Sequence, residues 1–204
     1  MIKFGRVRVS AICLVVAALF AAINFSPHLP ILLACIAVHE AGHILPVICG
    51  GGRINALHVM PFGVSISAGG RLTSYGQDMF AAFGGPLANI AASLVLLAVM
   101  RLITFNKYLL FAAVASAAYA AVNLFPVRGL DGGRMLELFL QSKLGEPRAS
   151  IVFGIASAAA LALLGLCSLL VLMATGYNFS LALMCGYLFY IIYFAPSSKR
   201  DLRR

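Results

Sequence analysis

His39, Glu40 and His43 stand together in an apolar run, Ala37-Val38-His39-Glu40-Ala41-Gly42-His43-Ile44, and their types and spacing suit metal-assisted hydrolysis. On a helix, positions i and i+4 share a face, so the two imidazoles can aim at one point as nitrogen ligands for a single Zn²⁺ ion. Glu40 sits beside the pair and can take the proton of a water that attacks an amide carbonyl. An ion there would lower the water's pKa towards ~7 and polarise the carbonyl. An ionisable group at the centre of a membrane span costs ~2.5–3.5 kcal/mol, so three at one depth call for a compensating partner, which a cation provides. The alternative is a pair of core histidines satisfied by neighbouring helices, with Glu40 protonated and hydrogen-bonded. Gly42 is expected to leave room for a substrate backbone, and Pro46 to weaken the helix behind the motif.

These residues must be positioned by elements suited to lipid. Of 204 residues, 62% are hydrophobic and 10% charged, well above what a water-soluble globule of this length needs. The reading is an all-α polytopic membrane protein. Its six transmembrane helices fall at about residues 9–26, 30–49, 77–100, 108–126, 151–175 and 179–196, each near the roughly 20 residues that span a bilayer. One membrane-embedded domain covers residues 1–204, with a catalytic core at about 30–140 and a C-terminal helix pair at about 151–196. The net charge of +9 lies at the predicted membrane edges. Lys3, Arg6, Arg8, Arg53, Arg71, Arg128, Arg134, Lys143, Arg148, Lys199, Arg200, Arg203 and Arg204 fall on one side, Arg101 and Lys107 on the other. That asymmetry predicts cytosolic termini and reports topology, so no nucleic-acid partner is expected. The first apolar segment lacks a clean cleavage site and reads as a retained span. The five cysteines are scattered through apolar segments without a C-x-x-C pair, which excludes a zinc knuckle and implies no disulfide framework.

Two connections are more than turns. Residues 50–77 contain Ala56-Leu57-His58-Val59-Met60-Pro61-Phe62-Gly63-Val64-Ser65-Ile66-Ser67, whose partial alternation around a Pro-Phe-Gly bend predicts a small β-hairpin between the second and third spans. Residues 126–150 begin with Val127-Arg128-Gly129-Leu130-Asp131-Gly132-Gly133 and continue with helical spacing from Arg134. This predicts a short interfacial helix that stops near Gly145 and Pro147. A catalytic zinc takes three protein ligands and keeps one position open, and Asp131 is the candidate third ligand. By the predicted topology the second and fourth spans both run towards the cytosol, which brings Asp131 to the same side as the histidines. Gly132-Gly133 would allow the tight path, although Asp-Gly-Gly also suits an ordinary turn.

Together, His39-Glu40-Ala41-Gly42-His43 and Asn123-Leu124-Phe125-Pro126-Val127-Arg128-Gly129-Leu130-Asp131-Gly132-Gly133 resemble the paired signature of the site-2 protease family of intramembrane zinc metalloproteases. Phe83-Gly84-Gly85-Pro86-Leu87-Ala88-Asn89 resembles that family's Gly-Pro…Asn segment, and Pro61-Phe62-Gly63 is similar to a feature of the sporulation-type members. The resemblance implies His39, His43 and Asp131 as ligands of one Zn²⁺ and Glu40 as general base. It also implies that Asn89 and Asn123 bind substrate backbone or stabilise an oxyanion, for which helix-to-helix hydrogen bonding is the alternative. One departure is Gly129, where family members often carry proline. No PDZ-sized insertion and no appended nucleotide-sensing domain is expected.

The resulting expectation is an intramembrane zinc metalloendopeptidase of a bacterial inner membrane. It would cut a membrane-embedded or membrane-associated protein near the cytosolic face, as in regulated intramembrane proteolysis. A regulatory membrane subunit or a homo-oligomer completes the expected partners. The rivals are a membrane metal or proton transporter and a prenyl-protein-type zinc protease with glutamate as third ligand. No inverted repeat of the transporter kind is evident.

Overall fold

A computed structural model describes residues 2–4, 7–9, 28–49, 53–60, 63–69, 75–176 and 179–193. The chain divides into two compact units, Met1–Leu124 and Phe125–Arg204.

The first unit holds three helices, α1 (His28–Cys49), α2 (Tyr75–Leu102) and α3 (Lys107–Asn123). It also holds strands β1 (Ile2–Phe4), β2 (Val7–Val9), β3 (Arg53–Met60) and β4 (Gly63–Gly69). The strands form one sheet in the order β1-β2-β3-β4. Its outer pairs are antiparallel, and β2 runs parallel to β3 with Val7 opposite Leu57 and Val9 opposite Val59. An all-α class with a single hairpin does not contain this arrangement. The first two strands come from a basic N-terminal segment, with Gly5-Arg6 between them in the sequence.

The three helices bury small and polar residues and expose large apolar ones. Cys35, His39 and Val47 of α1 are buried, while Leu32, Leu33, Leu45 and Ile48 are exposed. On α2 the buried set is Ala81, Ala82, Gly84, Gly85, Pro86, Asn89 and Ser93, with Leu94 and Val95 outside. α3 buries Ala113, Ser116 and Ala120. This inside-out pattern suits lipid, where association rests on close backbone approach and interhelical hydrogen bonds. The Ser116 hydroxyl donates to Cys35 Sγ (3.2 Å), and the Cys35 thiol donates to the Ala112 carbonyl (3.8 Å), tying α3 to α1.

In the second unit, α4 (Asp131–Leu144), α5 (Glu146–Thr175) and α6 (Ser180–Tyr193) follow one another. Gly145, at φ +75°, ends α4, and Pro147 falls in the first turn of α5. The expected stop signals thus divide their work: the glycine adopts a left-handed backbone, whereas the proline starts the next helix. Val127, Leu161, Leu164, Cys185 and Leu188 form the core of this unit.

Among the described residues, three helices are long and apolar enough to cross a membrane: His28–Cys49, Tyr75–Leu102 and Glu146–Thr175. Six such helices are not found. α3, at 17 residues, is about 26 Å long and falls short of a core of about 30 Å. The first expected span, about 9–26, lies outside the described residues apart from Val9, which belongs to β2.

Candidate metal centre

His39 and His43 are one turn apart on α1, and their Nε2 atoms converge to 3.3 Å. The rings stand nearly edge to face, 4.9 Å between centroids at 81°. His39 is buried and packs edge-on against Tyr119 of α3, 4.8 Å away. Its Nδ1 lies 3.4 Å from Asn89 Nδ2 of α2. His43 Nδ1 lies 2.9 Å from the carbonyl of Ala81. A carbonyl can only accept, so His43 donates from Nδ1–H, which in the neutral tautomer leaves the lone pair at Nε2.

The remaining positions on α2 explain how the imidazoles are accommodated. A Cβ added to Gly85 would run into His43 Nε2 and lie 2.7 Å from His39 Nε2. Glycine therefore leaves clear the space into which both nitrogens point. Gly42 has a different task from the expected one of admitting substrate. A Cβ there would strike the Gly84 carbonyl and come within 2.6 Å of Ala88 Cβ, while one on Gly84 would strike the Gly42 carbonyl. This reciprocal glycine contact presses α1 onto α2 immediately beside the histidines. Pro46 lies within α1 and packs towards Gly84, and the helix continues past it to Cys49.

The donor set fits a zinc ion. Zn²⁺ bonds imidazole nitrogen at about 2.0–2.1 Å, and two such ligands at a tetrahedral angle lie about 3.3 Å apart. That matches the observed 3.3 Å separation. Asn123, at the end of α3, is half-buried, and its Nδ2 donates to the Tyr119 carbonyl at 3.0 Å.

In the second unit Asp131 opens α4, where a carboxylate also complements the helix dipole. The Asp-Gly-Gly run is a first helical turn and not a free-standing bend. The preceding segment is held rigidly. Val127 is fully buried, the Arg128 N–H donates to Ser157 Oγ (2.8 Å), and the Arg128 guanidinium lies 5.1 Å from the centre of the Phe153 ring. Gly129 has φ +100°, a value that proline, locked near −65°, cannot adopt. The glycine noted in the sequence as a departure is therefore required by this turn. A Cβ on Gly133 would strike the Val127 carbonyl, so α4 begins in direct backbone contact with the loop.

Sequence reasoning missed the stripe formed by Ala81, Gly85 and Asn89. Their spacing of four was legible, but only the packed structure shows it facing the histidines.

Residues 100–167 match Peptidase family M50, a span that includes Asn123 and Asp131 and leaves out His39, Glu40 and His43. Among solved structures, the chain is similar to the site-2 protease from Methanocaldococcus jannaschii. The TM-score is 0.67 at 20% identity, covering 93% of this chain and 91% of that one. No curated protein matches the chain. At that identity the structural likeness speaks for the fold, while the family match supports a metalloprotease.

Proposed function

We propose that the chain is an intramembrane zinc metalloendopeptidase of the site-2 protease kind. The observation that carries this reading is the 3.3 Å convergence of two Nε2 atoms on a space that Gly85 keeps open. The family match across Asp131 and the fold likeness support it.

In this reading His39, His43 and Asp131 hold one Zn²⁺. When bound, the ion supplies a Lewis acid that polarises the scissile carbonyl and makes water a better nucleophile at neutral pH. Glu40 accepts a proton from the attacking water and passes it to the amine as the C–N bond breaks, so the proton count balances. Asn123 spends one amide N–H on Tyr119, and carboxamide chemistry leaves it a second for the developing oxyanion. The substrate is a membrane-embedded or membrane-adjacent helix that unwinds locally, because helical carbonyls are already engaged in hydrogen bonds. β4 lies at an edge of the sheet and offers a place for the unwound segment to add as a strand. Cleavage falls near the cytosolic face of a bacterial inner membrane, with both termini cytosolic. A regulatory membrane subunit or a second copy of the chain completes the assembly.

The test is Glu40→Gln. Zinc should remain bound at the wild-type ratio while cleavage falls roughly 10²–10⁴-fold, the usual worth of a general base. Co-expression of wild type or variant with the host's membrane proteins should yield cytosolic fragments with wild type alone. Fragments in equal amount with both would remove Glu40 from its role.

A further inference from the structure

Asn89 is fully buried on α2, and its Oδ1 has no hydrogen-bond partner among the described residues. Such an acceptor is costly in a low-dielectric interior unless some state of the protein uses it. Its Nδ2 faces His39 Nδ1 at 3.4 Å. This orientation suits a His39 ring whose proton is on Nε2, directed at the His43 Nε2 lone pair 3.3 Å away. A metal at the convergence point needs lone pairs on both Nε2 atoms, so His39 must then carry its proton on Nδ1. The two ends of a carboxamide have nearly the same shape. Half a turn of the Asn89 amide would bring Oδ1 against that Nδ1–H and satisfy the buried oxygen.

His43 already has the matching arrangement, with Nδ1 on the Ala81 carbonyl at 2.9 Å. Ala81, Gly85 and Asn89 follow at intervals of four, so they lie along one stripe of α2. From this the geometry points to a division of labour. Ala81 holds one imidazole and Gly85 leaves space for the ion. Asn89 is a positioning residue whose Oδ1 accepts from His39 Nδ1–H, and it is not a substrate contact. Metal-ligating histidines commonly depend on such a partner for tautomer and ring orientation. The inference rests on the zinc reading above and deepens it.

The test uses the full chain in detergent micelles, with Zn²⁺ affinity measured against a competing chelator. Asn89→Leu should weaken zinc binding about 10–100-fold. Asn89→Asp keeps an oxygen acceptor and should weaken binding less than Asn89→Leu, by under about tenfold, the lower bound of that range. Zinc binding by Asn89→Leu equal to wild type overturns the inference, and so does Asn89→Asp binding as weakly as Asn89→Leu. A second measurement needs no variant at position 89. In ¹⁵N-histidine-labelled protein loaded with zinc, with the His39 signal assigned through His39→Ala, Nδ1 should be the protonated nitrogen. A proton on His39 Nε2 with zinc bound would take His39 out of the ligand set and overturn the inference and the metal reading together, whereas wild-type zinc affinity in Asn89→Leu overturns the inference alone. Wild type that takes up no zinc overturns the metal reading itself.

Discussion

The imidazole pair and the Asp131 turn are built by opposite means. His39 and His43 need only a regular helix, because one turn of α1 brings their nitrogens to 3.3 Å. The effort lies in the neighbour, where α2 presents glycines and a buried amide in place of bulky side chains. Asp131 depends on irregular backbone: a buried Val127, an Arg128 N–H on Ser157 and a Gly129 in a conformation closed to proline. The lesson is that side chains sharing one helix are positioned by what their neighbours leave out, whereas a side chain that follows an irregular turn is positioned by its own anchored loop.

The comparison can be broken first at Gly85. Gly85→Ala places a methyl between the two Nε2 atoms, so zinc affinity should drop beyond the ~100-fold typical of outer-shell changes. Zinc retained at wild-type affinity would show that the space is not the metal's. At the loop, Gly129→Pro demands a φ the ring forbids and should destabilise the second unit by about 3 kcal/mol, read as a lowered thermal midpoint. An unchanged midpoint would mean the turn does not need its glycine.

Gly42→Ala tests the helix contact. Because the added methyl meets backbone, α1 must move off α2, at a cost of about 1–3 kcal/mol. Zinc binding should weaken with it, measured by the same chelator competition. A variant as stable as wild type would argue against tight α1–α2 packing. The smallest effect is expected for Ser157→Ala, which removes one acceptor from the loop and should cost about 1 kcal/mol. Its midpoint should fall less than that of Gly129→Pro; the reverse order would misplace the anchor of the turn.

Much of the candidate site was legible in residue types. The H-E-x-x-H spacing within an apolar run marks two candidate ligands and a candidate base, since helical periodicity alone puts positions 39 and 43 on one face. The functions of the glycines were not legible. Gly42 suggested access and proved to be a packing contact, and Gly129 looked like a departure and proved to be a requirement. In both cases the decisive quantity is the distance or dihedral imposed by a partner that is remote in sequence or absent from local pattern. Among the described residues the expected number of spans is not reached, for a similar reason. Apolar length marks affinity for lipid, but helix ends are set by capping and turns, which leave α3 ending at Asn123.

Composition and periodicity by themselves determined that this chain favours lipid and that His39, Glu40 and His43 sit on one turn of an apolar helix. Only tertiary structure decided which α2 residues face the imidazoles and how the backbone before Asp131 is held. Side-chain type and helical period are local properties, whereas the space over a pair of nitrogens exists only after another helix has packed against them.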